Sequence, residues 1–163
     1  IESNPPIDGF PVTLDGGDFF EFVHDGDFEI SASSAVSVVQ YMVGSQYCGE
    51  DFFAIGDPAM LIALPEEQFI DEYIFLTPDR YLEDYINVIA PEGAQITMDD
   101  VELDAQWEAF PSGDAVRARV EMEPGVHHLK SSQPMGVIVY GYDDDVSYAY
   151  PGGAQLVPLE EEH

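Results

Sequence analysis

Apolar and polar positions alternate with a period of two along most of this chain, and almost nowhere with the spacing of a helix. Over Val116–Met122 the apolar set Val116, Ala118, Val120 and Met122 interleaves with Arg117, Arg119 and Glu121, which predicts a strand with one wet face. Phe20 and Phe22 flank Glu21, and Phe28 and Ile30 flank Glu29; the intervening His24-Asp25-Gly26-Asp27 holds an Asp-Gly pair suited to a tight turn. That pattern predicts a hairpin. Denser runs at Val36–Val43, Ala59–Leu64, Tyr85–Ala90 and Met135–Tyr142 lack a polar face and predict central strands covered on both sides. Turn residues punctuate the chain at Asp15-Gly16-Gly17, Gly56-Asp57-Pro58, Pro91-Glu92-Gly93, Pro111-Ser112-Gly113, Pro124-Gly125 and Pro151-Gly152-Gly153. The best helical signal, Pro65-Glu66-Glu67-Gln68-Phe69, is good for about one or two turns. Together these predict an all-β, antiparallel β-sandwich of roughly ten or more short strands with at most one short helix. Residues 1–155 read as a single β-sandwich domain with its first strands expected upstream, and 156–163 as a C-terminal tail. Ile1–Pro6 also reads as a loose end.

Composition narrows the partners. At 163 residues and 45% hydrophobic, the chain can bury about two-thirds of its unfolded surface and needs no disulfide staple. Against 33 acidic side chains stand only Arg80, Arg117, Arg119 and Lys130, for a formal net charge of −29. Four cations are too few to neutralise a run of phosphates, so the charge argues against nucleic acid and anionic membranes as ligands. No apolar run approaches the ~20 residues of a membrane helix. Mutual repulsion of the carboxylates predicts a fold strengthened by salt or divalent cations. Cys48 is the sole cysteine, which excludes an internal disulfide, a CxxC redox pair and a cysteine zinc site. It reads as a small hydrophobe or as the partner of a residue outside this chain; a papain-like pairing with His127 or His128 lacks any local signature.

Motifs of catalysis are absent: there is no G-x-S-x-G elbow, phosphate-cradling loop, H-E-x-x-H or G-x-G-x-x-G. Neighbouring carboxylates are so common here that a pair carries little information, which leaves a carbohydrate-active enzyme as an alternative without a signature of its own. Calcium is a better use for the acids, because hard cations take carboxylate and carbonyl oxygens from turns. Candidate loops are Asp15-Gly16-Gly17-Asp18, Asp25-Gly26-Asp27, Asp99-Asp100 and, best, Asp143-Asp144-Asp145; solvated turn acids are the competing reading. On a strand over Val126–Ser131, His127 shares a face with Leu129 and points inward, as a hydrogen-bonded core histidine or as a ligand or base. Tyr140, Tyr142, Tyr148 and Tyr150 fall within eleven residues. Their rings either cap the sandwich with bonded hydroxyls or present an aromatic surface for a sugar or peptide.

The ordered set of C-terminal motifs, Gly125-Val126-His127-His128-Leu129, then Met135-Gly136-Val137-Ile138-Val139-Tyr140-Gly141-Tyr142, then Ser147-Tyr148-Ala149-Tyr150-Pro151-Gly152-Gly153, resembles the N-terminal domain family of the immunoglobulin G Fc-binding protein. Upstream, Val38-Val39-Gln40-Tyr41, Gly56-Asp57-Pro58-Ala59-Met60 with Pro65-Glu66-Glu67-Gln68-Phe69, Phe75-Leu76-Thr77-Pro78 and Asn87-Val88-Ile89-Ala90-Pro91 follow the same order, so the resemblance spans about residues 10–155. It implies a noncatalytic, extracellular or cell-surface module for recognition or adhesion within a larger protein, binding a protein or glycan; a structural spacer is the further alternative. The acid excess looks more like a bacterial surface protein than an animal member. No Fc-contact residue is carried over. Gly125, His127, Gly141, Ser147, Tyr150 and Pro151 match the family motif as scaffold positions, serving turns, close approaches and internal hydrogen bonds.

Overall fold

The computed structural model describes residues 1–48 and 55–156. Its strands are β1 (Glu2–Asn4), β2 (Glu29–Ser31), β3 (Val38–Tyr41), β4 (Met60–Ala63), β5 (Ile70–Thr77), β6 (Glu83–Pro91), β7 (Ile96–Met98), β8 (Val101–Glu102), β9 (Glu108–Ala109), β10 (Ala115–Met122), β11 (Gly125–Asp143) and β12 (Val146–Pro151). All pairings are antiparallel. The all-β prediction holds.

Strand β11 organises the molecule. Its first half pairs with β5 over Gly125–Lys130 and with β7 over Leu129–Ser131, while its second half pairs with β6 over Gly136–Tyr142 and with β12 over Ile138–Asp143. The register with β5 shifts between Lys130 and Met135, and that irregularity lets one strand serve two layers. The sheet curls, and one core fills it: Tyr73 and Phe75 from β5, Ile86 and Val88 from β6, Leu129, Met135, Val137 and Val139 from β11. Inward positions on β6 fall at every second residue, Asp84, Ile86, Val88 and Ala90, as the pleat requires. Gly136 is needed where it stands, since a Cβ there would lie 2.4 Å from the Phe69 ring.

Several local expectations change. The runs Tyr85–Ala90 and Met135–Tyr142 do become the central strands β6 and β11, but Val36–Val43 and Ala59–Leu64 do not. They form a separate two-stranded ribbon, β3 with β4, on which Leu61 is buried and most other apolar side chains face solvent. The hairpin over Phe20–Ile30 is absent. Gly26 does not take the positive φ that a tight Asp-Gly hairpin turn demands, and β2 instead pairs with β1, twenty-odd residues earlier in the chain. Phe10, Phe20, Phe22 and Phe28 meet ring to ring, so their apolar surface is used in a cluster rather than a ladder. Ile1–Pro6 is accordingly no loose end, since β1 lies within it and the Ile1 ammonium donates to the Val12 carbonyl at 2.9 Å. The helical signal after Pro65 amounts to one 3-10 turn, Glu66–Gln68. Cys48 ends another such turn, Ser45–Cys48; its side chain and residues 157–163 lie outside the described residues.

Candidate binding surfaces

The four C-terminal tyrosines do not form one surface. In the β11–β12 ladder Tyr148 stands opposite Gly141 and Tyr150 opposite Val139, which places both on the core side of the sheet. Tyr140 and Tyr142 point to the other side. The pleat therefore splits the quartet in two. On the core side, Tyr148 donates to Asp84 Oδ1 at 2.5 Å, and its hydroxyl fits only because position 141 is glycine: a Cβ there would meet the Tyr148 ring at 2.5 Å. Burial, then the Asp84 hydrogen bond, pushes the Tyr148 hydroxyl pKa far up, while burial raises that of Asp84. Tyr150 bridges to the edge of β5, donating to the Leu76 carbonyl at 2.5 Å and accepting from the Leu76 N–H at 3.2 Å. A hydroxyl thus does there what a neighbouring strand would do.

On the opposite side, Tyr140 is only 5% exposed, and burial pushes its hydroxyl up to about 12. It donates to Asn87 Oδ1 at 3.1 Å, stacks on Tyr85 at 5.6 Å and lies 5.8 Å beneath the Arg119 guanidinium. Arg119 also covers Tyr85. This arrangement follows from register, because Arg119, Tyr85 and Tyr140 come from neighbouring strands on one face. What it shows to solvent is the cation more than the rings. Two carboxylates bonded to tyrosines here, Glu83 and Asp84, are adjacent in sequence and so point to opposite faces: Glu83 holds the Tyr85 hydroxyl and Asp84 the Tyr148 hydroxyl. They do not converge on a common cleft.

Of the acidic turns, Asp143–Asp145 closes the β11–β12 hairpin, with Asp145 at φ 52°. The Asp143 carboxylate accepts from the Asp144 N–H at 2.7 Å, and the Asp143 carbonyl accepts from Gly56 N–H at 2.8 Å. Asp99 and Asp100 make the β7–β8 turn, both at positive φ. Asp99 is the more engaged: its Oδ1 accepts from the His128 N–H at 2.8 Å, and its Oδ2 lies 3.0 Å from His127 Nδ1. The His127 contact first, then the His128 amide, holds the Asp99 carboxyl below the usual range. His127 does point inward beside Leu129, with its Nε2 2.9 Å from the Glu123 carbonyl and its ring 5.5 Å from Phe75. Both ring nitrogens are occupied by scaffold groups. No set of three or more His, Cys, Asp or Glu among the described residues converges as a metal-binding group.

The surface that sequence reasoning missed is the β3–β4 ribbon. Register puts Val39 against Ile62 and Tyr41 against Met60 on one face, and all four are exposed, Tyr41 to 67% and Ile62 to 53%. Val43 extends the strip and is exposed as well. The signal was in hand as an apolar run. Only its being paired to a single short neighbour, rather than inserted between strands, turned it outward.

The fold defines an all-β class of protein, in which antiparallel strands pack around one filled core and display strips of side chains on their faces. The comparison with known proteins gives the particular family: the chain belongs to the IgGFc binding protein family, whose match covers residues 1–141. The motif around Ser147–Gly153 lies beyond the matched stretch. The family is one of binding modules, typically secreted or extracellular. No curated protein and no solved structure matches the chain. No helix among the described residues is long and apolar enough to cross a membrane.

Proposed function

We propose that this chain is a noncatalytic recognition module, a single β-sandwich unit of a larger secreted or cell-surface protein, which binds a protein or glycan ligand and serves adhesion. The observation that carries this reading is the family match over residues 1–141. The scaffold is consistent with it, since the motif residues His127, Gly141, Ser147 and Tyr150 are all spent on internal contacts and leave the outer faces free to vary. The acid excess favours partners that carry positive charge and speeds their encounter. The purified chain, arrayed against mucin-type glycans, other polysaccharides and immunoglobulin Fc, is expected to give a saturable hit. Paired calcium and chelator arms test whether the Asp143–Asp145 turn takes part as a calcium site. Silence across the whole array would count against the recognition reading and for a structural spacer.

A further inference from the structure

Resting on that recognition reading, we propose that the β3–β4 ribbon is the docking surface, and that its ligand is an extended polypeptide segment in which apolar residues alternate with Lys or Arg. Three observations converge. First, Val39, Tyr41, Met60 and Ile62 form one continuous exposed apolar face, of the kind that marks an interaction site more than ordinary surface. Second, among the described residues β3 pairs with β4 alone, while β4 lies beside β12. The far edge of β3 therefore offers unpaired N–H and C=O groups to an added strand, whose side chains would alternate between the ribbon face and its reverse.

Third, the electrostatics select the sign of the ligand. Arg80 is the first basic residue in the chain, so the ribbon and everything before it carry no Lys or Arg. A shallow cleft at one end of the ribbon is lined by Tyr47, Pro58, Asp57 and Asp145, with Asp57 brought there by its N–H donating to Ser147 Oγ at 3.0 Å. At the other end, Glu66 and Glu67 follow β4 and are exposed. An apolar strip between two acidic ends, with no cation on it, complements a cationic amphipathic strand. A second copy of the chain is disfavoured, because each brings a formal charge of −29 to the contact.

The test uses the full chain and synthetic peptides: one of alternating Lys and Val, one of alternating Glu and Val, and one with the Lys and Val residues gathered into blocks. Titration calorimetry is expected to show saturable binding of the alternating Lys-Val peptide only. Ile62→Asp, and independently Tyr41→Asp, should weaken it about tenfold or more, with an unchanged circular dichroism spectrum showing that the fold survives. Asp57→Asn with Asp145→Asn should weaken it less and flatten its salt dependence. Equal binding of the blocked peptide, or full binding by both ribbon variants, would overturn the site. So would a dimer in sedimentation that Ile62→Asp dissolves. An array hit that survives Ile62→Asp overturns this surface and leaves the recognition reading standing, whereas silence of the wild type toward both the array and the peptides defeats that reading together with the site.

Discussion

The two parts of this chain on either side of residue 70 are similarly rich in apolar residues and use them in opposite ways. After Ile70, the long strands β6, β10 and β11 pair on both sides, β5 pairs along β11, and together they surround a core in which Ile86, Val88, Leu129, Met135 and Val139 are fully buried. Before it, strands of three or four residues pair in twos, and among the described residues only Ile7 and Leu61 are buried hydrophobics. Charge differs too, since all four cations lie in the later part. The difference teaches that burial here depends on the length and number of strand partners, not on how apolar a run is. It also separates roles. One part supplies stability, and the other supplies surface.

The sharpest way to break that contrast is to make the same substitution in each part. Ile86→Ala should cost about 2–5 kcal/mol in urea unfolding, because a fully buried side chain leaves a cavity. Ile62→Ala should stay within about 0.5 kcal/mol. Comparable losses would erase the distinction. Next in size, Gly141→Ala should cost about 1–3 kcal/mol, since its Cβ would stand 2.5 Å from the Tyr148 ring and 2.8 Å from the Glu83 carbonyl. Gly16, at which a Cβ meets nothing and which is not at positive φ, is the control for crowding. Tyr150→Phe should cost about 1 kcal/mol by stripping both hydrogen bonds from Leu76 at the β5 edge. No loss at all would mean that water replaces the hydroxyl without cost.

The smallest expected effect concerns the sign of a pH dependence. Burial raises the Asp84 pKa above its unfolded value, so its contribution to stability is fullest at acid pH and is lost as pH rises through the folded pKa. Asp99 is the reverse case: its lowered pKa stabilises above the ordinary aspartate range, and that is lost as pH falls. In thermal melts Asp84→Asn should therefore raise the melting temperature at pH 7 and lose that advantage at about pH 3, with the Tyr148 hydroxyl still donating to the amide oxygen. Asp99→Asn should lower it at pH 7. A fall on Asp84→Asn at pH 7 would contradict the assignment.

Much of the cored part was legible in the sequence. The period of two over Val116–Met122 gave β10, the apolar runs at Tyr85 and Met135 gave β6 and β11, and a strand at Val126–Ser131 put His127 inward. Alternation sees the pleat directly. What it does not see is partnership. The runs at Val36 and Ala59 look as apolar as β6, yet which strand lies beside which is decided by contacts distant in sequence, and among the described residues these runs form a ladder only with each other. The tyrosine quartet failed as one surface for a related reason. Sequence proximity brought Tyr140 and Tyr148 together, but the antiparallel register of β12 set them on opposite faces. The Phe20–Ile30 hairpin failed because β1 competed for β2 and won.

Amide hydrogen exchange tests the division of labour most directly. The amides of Ile86, Val88, Val137 and Val139 are expected to exchange only through global unfolding, while those of β3 and β4 exchange orders of magnitude faster through local opening that leaves the curled sheet intact. Protection of β3 and β4 equal to that of β6 and β11 would contradict the account, since it would make the ribbon part of the stabilising core.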